Sequence, residues 1–139
     1  MFENPSTPEI ESFLRRIRVI AVLGLSDAPA KPSHHVAAGL QKFGYRIVPV
    51  NPTASEILGE RAWPDLESAL RGAGPVDLVD VFRKPEHVAG IVDDCIRLGV
   101  PALWLQEGVV DTEAAQRARD AGIFTVMDRC IFKTRSAMV

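Results

Sequence analysis

Val19-Ile20-Ala21-Val22-Leu23-Gly24-Leu25-Ser26 is a short apolar run, rich in β-branched residues, that ends on a glycine turn. Its lack of polar alternation predicts a strand covered on both faces. A polar, proline-broken segment follows from Asp27 to Pro32, and Ser33-His34-His35 then opens a helical pattern. Strand, glycine turn and helix in that order make a place to hold a phosphate. Free N–H groups and the positive end of the helix dipole both point there.

The same grammar repeats outward from this unit. Upstream, Thr7 is read as the cap of a helix from Pro8 to about Arg16, whose apolar face is Ile10, Phe13, Leu14 and Ile17. The first strand is Arg18 to Leu23. The following helix, Ser33 to Phe43, turns Val36, Ala37, Leu40 and Phe43 inward and stops at Gly44. Tyr45 to Val50 reads as a second strand, closed by Pro49 and the Asn51-Pro52 turn. Glu56 to Trp63 suggests a short strand at the sheet edge, and Asp65 caps a helix to about Leu70. After the break at Gly72-Ala73-Gly74-Pro75 come a strand (Asp77 to Phe82) and a helix (Pro85 to Leu98). The helix sets Val88, Ile91, Val92, Cys95 and Ile96 inward. A strand from Pro101 to Leu105, a helix capped by Asp111 through Ala121, and a last strand from Ile123 to Met127 complete the pattern.

Strands alternating with helices of this length imply βαβ units and right-handed crossovers. The expected fold is α/β: a Rossmann-like three-layer domain with a mostly parallel, doubly wound sheet of five or six strands. It is expected to occupy residues 1–139 as one unit, with 1–17 as helix and lead-in and 132–139 as a partly mobile tail. In such sheets ligands sit beyond the carboxyl ends of the strands. The loops to watch are therefore Gly24 to Ser33, Asn51 to Thr53, Arg83 to Pro85, Gln106 to Val109 and Asp128 to Cys130.

Composition narrows the function. Of 139 residues, 47% are hydrophobic and 24% charged, and the formal net charge is −2. No strong overall field draws the molecule to nucleic acid or to an anionic membrane. No apolar run is long enough to span a bilayer, and the polar, proline-containing start is unlike a signal peptide. The two cysteines, Cys95 and Cys130, lie far apart and suit reduced thiols in a cytoplasmic protein. Adjacent His34 and His35 point different ways on a helix, and no nearby Cys, Asp or Glu completes a metal set.

A nicotinamide dinucleotide is the obvious rival ligand. Its fingerprint needs three glycines and an acid at the end of the second strand. Only Gly24 is present; Ser26 and Pro29 stand at glycine positions, and the second strand ends in Val50-Asn51-Pro52. No nucleophile, metal set or carboxylate pair is specified by spacing, so no residue is assigned a catalytic role. Asp80 alternates with Val79 and Val81 on a buried strand and is expected to accept backbone or helix N–H bonds.

Six segments occur in register: Gly24-Leu25-Ser26, Lys31-Pro32-Ser33-His34, Val48-Pro49-Val50-Asn51-Pro52, Val79-Asp80-Val81-Phe82-Arg83, Leu103-Trp104-Leu105-Gln106-Glu107-Gly108 and Met127-Asp128-Arg129-Cys130. Together they resemble the small single-domain CoA-binding proteins. The fold of that family is similar to the N-terminal CoA-binding domain of the succinyl-CoA synthetase α subunit. The resemblance implies coenzyme A or an acyl-CoA as ligand. It implies that Gly24, Leu25 and Ser26 approach the pyrophosphate with their backbone, with Ser33 and His34 at the helix start. It places Lys31 on the ribose 3′-phosphate and Val50, Asn51 and Pro52 on the adenosine. Val81, Phe82 and Arg83 would border the adenine or the pantetheine arm, with Gln106 and Glu107 further along it. The synthetase subunit also carries an active histidine in a second domain, and His34, His35 and His87 stand in the wrong places to replace it. A binding protein is therefore expected. The alternatives are an enzyme or subunit acting on CoA thioesters, with a partner or through Cys130, and an NAD-binding protein. Self-association and a partner subunit both stay open.

Overall fold

The computed structural model describes residues 1–139. In chain order the elements are α1 (Thr7–Arg16), β1 (Val19–Leu23), α2 (Pro32–Lys42), β2 (Arg46–Val50), β3 (Glu56–Ile57), β4 (Glu60–Arg61) and α3 (Leu66–Ala73). They continue with β5 (Leu78–Val81), a single 3-10 turn at Pro85–His87, α4 (Val88–Leu98), β6 (Ala102–Leu105), α5 (Thr112–Asp120), β7 (Phe124–Val126) and α6 (Ile131–Ser136).

Five strands form one parallel sheet in the order β2-β1-β5-β6-β7. Each is a nearly unbroken apolar run because helices cover both faces. One face packs on α1, α2 and α6 through Ile10, Phe13, Leu14, Val36, Leu40 and Ile131. The other packs on α3, α4 and α5 through Leu66, Ala69, Val88, Val92, Ala114 and Ala118. The expected three-layer, doubly wound Rossmann-like architecture is thus the one observed. The chain leaves β1 for β2 on one side and later returns to β5 on the other, so the switch point lies between the ends of β1 and β5.

Several local expectations are corrected. Ser6, not Thr7, caps α1: its hydroxyl accepts the Glu9 N–H, and the Glu9 carboxylate accepts the Ser6 N–H in return. That reciprocal box takes the cap because Thr7-Pro8 already begins the helix. Pro49 does not close β2. It sits inside this edge strand, where a missing N–H costs no ladder bond.

Glu56 to Trp63 is a two-stranded antiparallel hairpin rather than an edge strand. Leu58 and Gly59 both take positive φ (55° and 77°), the geometry of a tight hairpin turn. Only Trp63 reaches the sheet, in a single bridge to Val50. α3 runs on past Leu70 to Ala73, because Gly72 is bare beneath the Trp63 ring. Ile96 faces outward from α4, 39% exposed, since Val88, Val92 and Cys95 already fill the helix's inner stripe.

The tail is also structured. Ile131–Ser136 is helix α6, with Ile131 fully buried and Phe132 seated on Gly39 of α2, where no side chain would fit. Its six residues are too short for a periodic signal to stand out. Contact with α2 supplies what local propensity does not.

Candidate functional site

A cavity of about 760 Å³ opens at the switch point. Its size is in the ordinary range for small-molecule sites. Gly24 and Ser26 form one wall with Lys31, Pro32, Ser33 and Val36 from the start of α2. Phe82, Arg83, Lys84 and Pro85 contribute from the end of β5, and Gln106, Glu107, Gly108 and Val109 from the end of β6. Cys130, just before α6, completes the lining.

The glycine turn is held by close packing. Gly24 has φ +78°, and a side chain there would collide with the Phe82 carbonyl oxygen. The turn therefore lets the β1 and β5 ends approach within the reach of one ligand. Its amide N–H donates to Val50 O at 3.2 Å. The Ser26 N–H is also engaged, donating to Ser33 Oγ at 3.0 Å, while Ser26 Oγ accepts the Ala28 N–H. These two amides are thus spent on the fold. The Leu25 and Ser33 N–H groups have no acceptor in the protein. Ser33 stands in the first turn of α2, whose cap residue Lys31 makes no side-chain capping bond. The helix start therefore keeps donor capacity and positive potential beside the cavity.

Of the residues singled out from sequence, the cavity brings together Gly24, Ser26, Lys31, Ser33, Phe82, Arg83, Gln106 and Glu107. Leu25 and Val81 point into the core, both fully buried, and Val50 is buried on the face covered by α3. His34 and Pro52 lie off the cavity lining. Asn51 is a clamp: its Nδ2 donates to Leu25 O at 2.9 Å, while its Oδ1 accepts the Thr53 and Ala54 N–H groups. It ties the β2 turn to the glycine turn and has little capacity left for a ligand.

Lys84, Pro32, Val36, Gly108, Val109 and Cys130 also line the cavity. Lys84 and Cys130 stood in flagged loops; Val36 was read as core only, because its outer edge cannot be told from its helical spacing. The wall carrying Cys130 is firmly pinned. Trp104 Nε1 donates to Arg129 O (2.9 Å), the Gly108 N–H to Asp128 Oδ1 (2.8 Å), and the Ile131 N–H to Gln106 Oε1 (3.1 Å). Outside it, Glu107 pairs with Lys133 at 3.1 Å.

Asp80 sits in register between Val22 and Trp104, two residues before Phe82, and is fully buried. Neither carboxylate oxygen has a hydrogen-bond partner. The bonds expected from its buried position are absent because its neighbours across the sheet are Val22 and Trp104, and the strand amides serve the ladder. Burial drives its pKa well above the usual carboxylate range, with only a small opposing effect from the nearby Val81 N–H. Asp77, in contrast, accepts the Arg18 and Val19 N–H groups at 2.8 and 2.9 Å and fastens the start of β1.

Residues 18–135 match the family described as CoA binding domain. The chain belongs to that family. It is 42% identical to the Bacillus subtilis protein YneT over 129 residues, covering 93% of each chain. A Thermus thermophilus structure, cell-free ID.343, superposes with a TM-score of 0.87 at 34% identity, over 95% of this chain and 98% of the other. A Pyrococcus horikoshii OT3 protein gives 0.86 at 29% identity, covering 98% and 97%. The dinucleotide-forming acetyl-coenzyme A synthetase 1 of Ca. Korarchaeum cryptofilum is similar at a TM-score of 0.65 and 25% identity. That match takes in 78% of this chain and 25% of the synthetase. No helix of the structure is long and apolar enough to cross a membrane.

Proposed function

We propose that this chain binds coenzyme A or an acyl-CoA in the cavity at the β1–β5 switch point. The observation that carries the reading is the mixed character of the cavity lining. Lys31, Arg83 and Lys84 are its exposed cations, and the Ser33 N–H at the start of α2 has no acceptor in the protein. Val36, Phe82, Val109 and Cys130 make the buried or half-buried part. CoA has the matching division, with anionic phosphates at one end and an uncharged arm ending in a thiol at the other. Cations and helix N–H groups suit the phosphates. The Asn51–Leu25 bond brings the Asn51-Pro52 turn beside the glycine turn, so the adenosine is assigned to that outer edge.

Isothermal titration with CoA, dephospho-CoA and NAD tests the reading. CoA is expected to bind best and dephospho-CoA more weakly, because it lacks the 3′-phosphate assigned to Lys31. Tighter binding of NAD than of CoA sinks the proposal.

Cys130 favours a second, compatible reading, because its thiol lines the cavity's inner wall. Its thiolate would attack the disulfide of oxidised CoA. One Cys130–CoA disulfide forms and one CoA thiolate leaves, with no further oxidant. Mass spectrometry after incubation with CoA disulfide should show one CoA added, and none on Cys130→Ala. An equal adduct on that variant removes this reading and leaves the first standing.

A further inference from the structure

Gln106 is 4% exposed, at the end of β6, and it lines the cavity. Its Oε1 accepts the buried Ile131 N–H at 3.1 Å. An N–H can be met only by an oxygen, so this bond fixes which end of the carboxamide faces α6. The Nε2 end is sent the other way. It has no acceptor in the protein, yet it is not sealed in as the Asp80 oxygens are. The cavity is what it faces, beside Val109 and Cys130. Water alone can serve that donor in the open cavity, and an acceptor on a ligand would take the water's place. The position also demands an unusual pair of properties at once, an acceptor toward α6 and a donor toward the cavity. Glutamate would supply two acceptors, lysine only donors, and methionine neither.

We infer that Gln106 is a specificity-determining donor that receives a carbonyl oxygen of the bound ligand. The inference deepens the CoA reading above and rests on it. A carbonyl is favoured over a phosphate because the donor is neutral and buried, whereas the cations of the lining, Lys31, Arg83 and Lys84, are exposed. An acyl-CoA offers such a carbonyl in two places, the thioester and the amides of the pantetheine arm.

The test titrates CoA, acetyl-CoA and S-ethyl-CoA, a thioether without the thioester carbonyl, into the wild-type protein, Gln106→Glu and Gln106→Met. Glutamate keeps an acceptor for the Ile131 N–H, so that variant is expected to fold normally by circular dichroism. Both variants should lose about tenfold in affinity for the ligand whose carbonyl is read. Loss confined to acetyl-CoA assigns the thioester; equal loss for all three assigns the arm. Unchanged binding by both variants overturns the inference and leaves the CoA reading intact. Weakening by glutamate with none by methionine also overturns it, since charge alone would then be responsible. If the wild-type protein binds none of the three, the CoA reading fails and the inference falls with it. Should methionine prevent folding, salt decides for the glutamate variant: a loss for all three ligands that disappears at high salt is charge repulsion and overturns the inference, whereas a loss that persists, or one confined to acetyl-CoA, supports it.

Discussion

The two faces of the sheet are built to different standards. The face under α3, α4 and α5 is aliphatic and alanine-rich, and its cysteine, Cys95, is fully buried. The face under α1, α2 and α6 carries the buried polar side chains Ser33, Asp80 and Gln106. Two of these three line the cavity, and Asp80 lies one layer beneath it. The difference separates roles. One face buries a single polar side chain, Thr125, with its hydroxyl donating to Ile123 O, whereas the other accepts unpaired or conditionally paired polar groups where the molecule opens.

The thiols give the largest contrast between the faces. Burial, with a smaller push from the Asp94 carboxylate, raises the Cys95 thiol to about 12 from its ordinary 9.0. That costs roughly a thousandfold in thiolate fraction at a given pH. Iodoacetamide at pH 8 is expected to label Cys130 in the native protein and to leave Cys95 untouched, with CoA slowing the Cys130 reaction. Equal labelling of the two would erase the distinction between sealed and open faces.

Next in size is the glycine turn. Gly24→Ala must place a methyl against the Phe82 carbonyl and hold a left-handed backbone. It should cost about 3 kcal/mol in urea unfolding, combining backbone strain and overpacking. CoA affinity should fall with it even in the folded fraction. Leu103→Ala, on the α3–α5 face and fully buried, is the matched control. It is expected to lose about 3 kcal/mol as well, yet to bind CoA as the wild type does once folded. If both variants lose affinity alike, the two faces are energetically one unit.

Asp80 sharpens the comparison through pH. Its folded pKa is raised, so the native state keeps a proton that the unfolded chain releases above about pH 4. Stability from this group is therefore full below that pH and is lost as pH rises toward the native value. Asp80→Asn should remove that slope, because an amide has no such proton to hold, and should make the protein more stable than the wild type at pH 7. Denaturant melts from pH 4 to 8 read it directly. A variant less stable than wild type at pH 7 would mean the carboxyl has a partner that pays back its burial.

The sheet was legible in the sequence because its five strands are apolar runs spaced by helices with clear caps, such as Asp65 and Asp111. The hairpin was not. Two-residue strands carry no periodicity, and the Leu58-Gly59 turn lacks the Asn-Gly or Asp-Gly signal. α6 was hidden for a related reason: Phe132 finds its place only against the bare Gly39 of another helix. At the cavity, Gly24, Lys31, Arg83 and Gln106 could be located because strand ends mark the ligand side of such sheets. Asn51 shows the limit of that logic. It stands at a strand end like the others, but its side chain is spent on Leu25, Thr53 and Ala54, and only three-dimensional bonding reveals this.

Lys31 sets the lower end of the scale. It is exposed, its ammonium makes no ion pair in the protein, and it lies on the cavity lining beside Ser33. A flexible, solvated ammonium gives a phosphate modest attraction that salt screens. Lys31→Ala should therefore leave the melting curve unmoved and weaken CoA binding only about threefold to tenfold at low salt, less at high salt. The ratio of CoA to dephospho-CoA affinity is the informative readout. If Lys31 meets the 3′-phosphate, the substitution narrows that ratio; if it meets the pyrophosphate, both ligands weaken together and the ratio holds. Arg83→Ala in the same titration is the counterpart, because its side chain packs over Gly24 and so stands nearer the glycine turn. It should weaken both ligands equally, which would divide the two cations between the two phosphate positions of one nucleotide.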